Sequence, residues 1–223
     1  MPSPNILRQT ANWKELLFYR KSDALFQLTF VFCQNFLPQH GDRTVDQMVQ
    51  AARSGKQNII EGSEAGMTST ETELKLLNVA RASLQELRED YRDYLNSRGL
   101  LLWDAGHPRY SAMLSFCHSH NDASDYLPMV NKMGDEEFAN LCLTLCHQVD
   151  VLMTKYQKLK EQQFVAEGGI RERMTAARLG YRNSQREALS AAQAEVAALQ
   201  EENTVLKARI RQLEEVLENH RNS

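Results

Sequence analysis

Apolar residues recur every three or four positions along most of this chain, the spacing that places them on one face of an α-helix. Four long segments carry this pattern. Their approximate limits are Trp13–Leu37, Asp42–Gly62, Thr70–Leu95 and Asp135–Leu159. Residues 99–108 are interpreted as a connection, and residues 109–134 as a short apolar piece followed by a polar loop. Four amphipathic helices without a convincing strand pattern predict an all-α fold, with a four-helix bundle over residues 1–167.

The ends of these segments carry capping signals. Asp42 and Asp135 are suited to cap the second and fourth helices, and residues 68–70 supply hydroxyl side chains to cap the third. Gly62 stands where a glycine just past a C-terminus would end the second helix. The third segment has a regular buried stripe at Leu77, Ala80, Leu84, Leu87, Tyr91 and Tyr94.

The first segment is apolar over an arc wider than a single helix contact requires. We therefore expect it to bury side chains against other subunits as well as inside its own chain. The apolar residues that lie outside a narrow stripe on this segment are Phe18, Leu25, Phe26, Phe30 and Phe36.

A strict seven-residue repeat occupies residues 189–217, after Gly168 and Gly169 have interrupted the helical pattern. β-Branched residues at its a positions, leucine at d and one asparagine at a favour a parallel pair of helices. The sequence predicts a linker or basic helix over 168–180 and a leucine-zipper-like parallel coiled coil over 181–223; the alternative is a solvated single helix. The a positions are Leu189, Val196, Asn203, Ile210 and Leu217, and the d positions are Ala192, Leu199, Leu206 and Leu213.

The charges beside this repeat agree with parallel pairing. In a parallel pair each g residue meets the e residue five positions later on the other helix. Glu202 would meet Lys207 and Arg209 would meet Glu214, so both pairs are opposite in sign.

A basic stripe precedes the repeat. If residues 170–188 are helical, Arg171, Arg178, Arg182 and Arg186 fall within about 80° of arc. A basic helix that leads into a parallel zipper is typical of proteins whose paired helices fork across DNA. This stripe is therefore a candidate nucleic-acid contact, and the alternative is a solvated or acid-pairing linker helix.

Composition narrows the function classes. The chain has 223 residues and a formal net charge of −3, which excludes a uniformly basic coat protein for nucleic acid. Its beginning lacks the pattern of a secretory signal, and its most apolar run, 24–37, is too short and too polar to span a bilayer. We therefore expect a cytoplasmic protein with no membrane contact.

The four cysteines do not form a disulfide framework in a chain of this length. Cys142 and Cys146 lie one helical turn apart, and Cys117 and His120 lie in the segment before them. Thiolates and imidazoles are the usual ligands of zinc, so these four residues are weak candidates for a metal site. The competing interpretation is that the cysteines pack as small core residues.

The chain carries no enzyme signature. It has neither a phosphate-cradling glycine loop nor a metalloprotease or nucleophile-elbow motif. Carboxylates such as Glu71 and Glu73 are interpreted as solvated helix faces. We expect no catalytic residue and no cofactor.

One stretch carries a family resemblance. Residues 42–62 read DRTVDQMVQAARSGKQNIIEG, and residues 71–95 read ETELKLLNVARASLQELREDYRDYL. The chain resembles the bacterial four-helix-bundle proteins encoded in intervening sequences of 23S ribosomal RNA genes, in the subgroup with a C-terminal suffix. That family is related to the accessory variability protein of diversity-generating retroelements. The motif residues are Arg53, Gln57, Asn58, Glu61 and Gly62.

Two interpretations of the motif stay open. Arg53, Gln57 and Glu61 share one helix face, which suits a subunit or ligand contact. Alternatively, they and Asn58 form a hydrogen-bond network at a helix end that fixes a tight turn at Gly62.

The related accessory variability protein works beside a reverse transcriptase and its template RNA. The resemblance implies a non-enzymatic bundle that serves as a nucleic-acid-associated adaptor and forms a ring, typically of five copies. It places the contacts of that ring on the first-helix surface of Phe18, Leu25 and Phe26. We therefore predict an oligomeric scaffold or adaptor, an accessory protein of a retroelement or RNA-linked system. The alternative is a DNA- or RNA-binding protein that uses the arginine stripe. A five-fold ring and a zipper that specifies pairs disagree. Either zippers join two rings, or they bind a helix of another protein, or the ring is not five-fold.

Overall fold

A computed structural model describes residues 12–38 and 43–221. The fold is all-helical, and no strand occurs in either of these ranges. The elements are a 3₁₀ turn at Trp13–Glu15, α1 at Leu17–Phe36, α2 at Arg43–Ala65, α3 at Thr70–Arg98, α4 at Tyr110–Ser119, α5 at Ala123–Val130, α6 at Asp135–Glu167 and α7 at Ile170–Arg221. No helix within the described residues is long and apolar enough to cross a membrane.

The chain divides into two compact units between Ile170 and Arg171. In the first unit α1 packs against α2 and α6, and α3 packs against the same two helices. These four helices therefore surround a common core. The short helices α4 and α5 pack against α6 and α1, respectively.

Aromatic side chains from three helices meet at the centre of this core. The ring of Phe32 on α1 lies 5.0 Å from Tyr91 and 4.8 Å from Tyr94 on α3, and 5.5 Å from Phe138 on α6. All three contacts are edge-to-face, the arrangement that aromatic pairs favour. The hydroxyl of Tyr91 donates to Thr29 Oγ1 at 3.0 Å, so its buried polar atom is satisfied.

The sequence predictions for α3 are confirmed. Ser69 Oγ accepts a hydrogen bond from the Thr72 amide at 3.1 Å and caps the helix. Gly99 ends it with φ +64°, a left-handed conformation that glycine adopts without strain. The predicted stripe is buried at every position: Leu77, Ala80, Leu84, Leu87, Tyr91 and Tyr94.

The predicted end of α2 at Gly62 is wrong, because α2 continues to Ala65. Gly62 is instead a close-packing position. A Cβ atom there would lie 3.3 Å from Leu76 Cβ and 3.4 Å from the Glu73 carbonyl oxygen, both on α3. The predicted cap residue of α2, Asp42, lies outside the described residues.

Two other helix starts differ from prediction. Trp13 begins a 3₁₀ turn, and α1 itself starts at Leu17 after the extended residue Leu16. Gly134, not Asp135, is the N-cap of α6. Asp135 occupies the first helical turn, where its carboxylate accepts the Glu136 amide at 2.9 Å and the Tyr94 hydroxyl at 3.1 Å.

Residues 109–134 contain two helices where the sequence predicts a short apolar piece and a polar loop. Long-range polar contacts hold both helices in place. The buried ammonium of Lys21 on α1 donates to the carbonyls of Cys117 and His120 at the end of α4. Arg20 forms an ion pair with Asp122, the N-cap of α5. Helices of ten and eight residues give little periodic signal, so these contacts are not visible in the sequence.

The second unit is formed by α7. Gly168 ends α6 with φ +71°, and α7 begins at Ile170. From there one uninterrupted helix of 52 residues extends to Arg221 and includes Gly180. At 1.5 Å per residue it is about 78 Å long.

Candidate self-association surface

Within residues 12–38 and 43–221 no other side chain covers the apolar seam of α7. From Arg178 to Asn219 every side chain is exposed. Monomeric proteins rarely expose a continuous apolar stripe of this length, so the stripe indicates an interaction surface. The large seam residues and their exposed fractions are Leu189 60%, Val196 52%, Leu199 53%, Leu206 53%, Ile210 54%, Leu213 50% and Leu217 67%.

Asn203 lies in the middle of the seam, between Leu199 and Leu206. In a parallel pair it would face its own copy, and the two amides can hydrogen-bond to each other. In an antiparallel pair a positions face d positions, so each amide would lie against an apolar side chain. A buried amide without a partner is unfavourable, so in a pair of these helices Asn203 would favour the parallel arrangement.

The flanking charges are available for contacts between helices. Glu202, Lys207, Arg209 and Glu214 are exposed, and none of them forms an ion pair within the described part of α7. Arg209 Nη1 donates a hydrogen bond to the neutral Gln212 Oε1 at 3.3 Å. The e and g positions therefore present unpaired, complementary charges beside the seam.

The arginine stripe lies on the same helix and the same face. Because α7 is continuous, the heptad register extends backwards from Leu189 without interruption. Arg182 then occupies an a position, Arg178 and Arg171 occupy d positions, and Arg186 stands beside them at e. All four side chains are exposed.

Two of the residues assigned to subunit contacts in the bundle belong to the core of the single chain. Phe18 is 4% exposed and Leu25 is fully buried, and the Phe18 ring lies 5.1 Å from that of Tyr156. The prediction of a subunit surface is therefore wrong for Phe18 and Leu25. Most of the wide apolar arc of α1 is covered within the chain, since α5 packs on it in addition to α2 and α6, whereas Leu17 and Phe30 stay exposed. Phe26 is half-buried, with the Lys56 ammonium 4.4 Å from its ring.

The motif residues on α2 do not form a network at a helix end. Gly62 lies inside the helix, so that interpretation is wrong. Asn58 donates to the Ser54 carbonyl at 2.9 Å within α2, and the Gln57 amide donates to Glu61 at 3.3 Å. Arg53, Gln57 and Glu61 remain as an exposed stripe along one face, as their spacing predicts.

Arg53 also borders a groove of about 1000 Å³ between α2 and α3. Phe30 on α1 lies at one side of this groove, and Glu86 and Asp90 of α3 lie at another. Burial raises the pKa of Asp90, and the nearby carboxylates of Asp93 and Glu86 raise it further. The groove is open and of mixed charge.

The cysteines are core residues, as one of the two sequence interpretations states. All four are buried. Burial raises the pKa of Cys117 and of Cys146 to about 12, so both remain thiols at neutral pH. The zinc candidates are not assembled: among the described residues no group of three or more His, Cys, Asp or Glu side chains is placed to hold a metal ion. His120 stacks on Phe116 and its Nδ1 lies 2.9 Å from the Phe116 carbonyl oxygen.

A buried carboxylate was missed by sequence reasoning. Glu73 is 1% exposed, so its interpretation as part of a solvated face is wrong. It accepts a hydrogen bond from the Tyr156 hydroxyl at 2.7 Å and pairs with the Lys160 ammonium at 2.9 Å. The signal was present in the spacing, because Glu73 lies four residues before Leu77 and continues the buried stripe of α3.

Comparisons of this chain with models of protein families, with curated proteins and with solved structures find no match. Of the surfaces described above, the heptad-patterned apolar face of α7 is the most distinctive.

Proposed function

We propose that this protein is a non-enzymatic scaffold in which the α7 helices of two copies form a parallel coiled coil. Each coil carries two copies of the 12–170 unit, which we interpret as a four-helix bundle of α1, α2, α3 and α6. The observation that carries the proposal is the apolar a/d seam of α7, which no other residue in the described ranges covers.

The energetics favour pairing. A helix whose residues are all exposed is marginal in water, because most helix stability in proteins comes from packing of an apolar face. All seven large apolar side chains of the α7 seam are at least half exposed. Covering them with the same seam of a second copy removes apolar surface from water on both helices. Asn203 and the charges at 202, 207, 209 and 214 then select the parallel, in-register partner.

The setting of the scaffold is a separate hypothesis. The resemblance to the family of ribosomal RNA intervening sequences supports a bacterial, RNA-linked system, with a reverse transcriptase or another protein as the bundle's partner. The exposed stripe of Arg53, Gln57 and Glu61 is the surface of the bundle that we assign to such a contact. A reverse transcriptase gene or a ribosomal RNA gene adjacent to the gene for this chain would support the hypothesis.

Light scattering of the full chain tests the pairing. We expect an even multiple of the 25.5 kDa chain mass. Replacing Leu199 and Leu206 by glutamate places four acidic side chains inside each coil, and this variant should show half the mass of the unchanged protein. Val205→Glu is the matched control, because Val205 is 64% exposed but lies off the seam, and it should leave the mass unchanged. An unchanged mass in the Leu199/Leu206 variant would contradict the proposal.

A further inference from the structure

The seam face of α7 changes its chemistry along an unbroken helix. C-terminal to Leu189 its a and d positions are apolar, apart from Asn203. N-terminal to Leu189 the same face carries Arg182 at a and Arg178 and Arg171 at d, with Arg186 beside them. No helix break separates the two parts, since α7 runs from Ile170 to Arg221.

Parallel pairing brings identical positions together. Arg178 and Arg182 of one copy would therefore face the same arginines of the other copy at the distances of a coiled-coil core. Arginine stays charged when it is buried, and the like charges repel. The two helices can associate along 189–217, whereas they must separate over 171–186 unless an anion lies between them.

The N-terminal part of α7, residues 170–188, is named the basic arm here, and it has few acidic side chains. Residues 170–188 contain five arginines, and their only acidic residues are Glu172 and Glu187. The positive charge is thus local to the arm, because the whole chain has a net charge of −3. From Arg171 to Arg186 the arm extends about 22 Å, and its four stripe arginines are exposed along that length.

We infer that the two diverging arms hold duplex DNA, with the stripe arginines on its phosphates. This inference rests on the parallel pairing proposed above. A symmetric pair of helices suits a duplex, and the major groove of B-form DNA is wide enough to admit an α-helix. The major groove of an RNA duplex is too deep and narrow for a helix to enter, which favours DNA.

Replacement of Arg178 and Arg182 should weaken DNA binding and strengthen dimerisation at the same time. Replacing Arg178 and Arg182 by leucine removes phosphate contacts, so the affinity for DNA should fall at least about tenfold at low salt. The same change extends the apolar seam by two positions, so the two copies should bind each other more tightly. Arg211→Leu is the matched control, because Arg211 lies at a b position off the seam. It should change both quantities much less.

The experiment uses the full chain with a fluorescein-labelled 24-base-pair duplex DNA. Anisotropy gives the dissociation constant at several salt concentrations, and analytical ultracentrifugation of the same samples gives the dimer constant. We expect the unchanged chain to bind the duplex. In the Arg178/Arg182 variant, the slope of the logarithm of the binding constant against the logarithm of the salt concentration should become less steep by about 3 to 4, because two copies lose four phosphate contacts.

Three other outcomes of these measurements would each overturn a different part of the proposal. A dimer that does not bind DNA at low salt, or binds it equally well without Arg178 and Arg182, overturns this inference and leaves the pairing intact. Tighter binding to a matched RNA duplex overturns the assignment to DNA. A chain that stays monomeric overturns the proposed function and this inference with it.

Discussion

Two valines on α7 provide a direct test of the heptad register. Val196 is 52% exposed and Val205 is 64% exposed, so in a single helix they are nearly equivalent. They lie nine residues apart, which places them about 180° from each other around the helix. In the proposed coil Val196 is an a residue in the seam, whereas Val205 is a c residue that faces water.

The size of the expected difference follows from these exposures. Replacing valine by alanine removes two carbon atoms. Transfer of both atoms from water to an apolar interior would contribute about 1.6 kcal/mol of stabilisation. Because Val196 is 52% exposed before pairing, roughly half of that value, about 0.8 kcal/mol, is lost per copy. Two copies lose about 1.6 kcal/mol, which raises the dimer dissociation constant about 15-fold. Alanine improves helix propensity to a similar extent at both positions, so this contribution cancels in the comparison.

Sedimentation equilibrium of the two variants measures the difference. We expect Val196→Ala to dissociate at protein concentrations about 15 times higher than Val205→Ala, by the same estimate. If the two variants have equal dissociation constants, or if Val205→Ala is the weaker dimer, the register assigned here is incorrect. Circular dichroism checks that both variants stay helical.

Three further predictions concern the 12–170 unit. Gly55→Ala should lower the free energy of unfolding by about 1–2 kcal/mol in urea titrations, because the new Cβ would lie 2.6 Å from the buried Leu84 side chain; an equally stable variant would mean that Leu84 can move. Glu73→Gln should cost about 2–3 kcal/mol because it leaves the Lys160 ammonium, only 13% exposed, without its carboxylate. Adding Lys160→Met should recover part of this loss, and purely additive losses would contradict the coupling. The pKa of Cys146 is raised to about 12 from 9.0 by burial, so the folded state holds a proton that the unfolded state releases. Stability is therefore retained below pH 9 and falls above it by up to about 1.4 kcal/mol per pH unit, and Cys146→Ala should show a shallower fall.

Long periodic segments made the helices of this chain predictable. The stripe of α3 from Leu77 to Tyr94 is buried as its spacing indicates, and Ser69 caps the helix. Such local signals need no knowledge of the partner helices. Short elements such as α5 were missed because eight residues carry too little periodicity, and they form through contacts with distant residues such as Arg20.

The interpretation of Phe18 and Leu25 on α1 was wrong because the sequence did not predict α5, which packs on α1. A wide apolar arc on α1 correctly indicates burial on more than one face. The sequence alone does not say whether another copy or α5 covers it, and Phe18 and Leu25 were assigned to the wrong partner. Gly62 was misassigned for a related reason: a glycine between helices can end a helix or allow close packing, and only the approach of α3 decides.

The common face of the α7 seam residues is predictable from the sequence, because a heptad repeat specifies which side chains share one face of a helix; the pairing of two such helices stays a prediction. Leu189 to Leu217 need only helical continuity to form one face, and α7 supplies it. Glu73 had a comparable signal in its spacing to Leu77, but its charge favoured a solvated interpretation. A buried carboxylate requires a partner, and Lys160 lies 87 residues further along the chain.

The most direct test of parallel pairing is a disulfide at position 203. In a parallel, in-register coil the two copies of residue 203 face each other, so Asn203→Cys should form a covalent dimer on mild oxidation at pH 8. The native cysteines are buried, and the raised pKa values of Cys117 and Cys146 keep them as thiols under these conditions. A Val205→Cys variant, off the seam, should remain a single chain on a non-reducing denaturing gel. Equal cross-linking of the two variants, or none at position 203, would contradict the proposed coil.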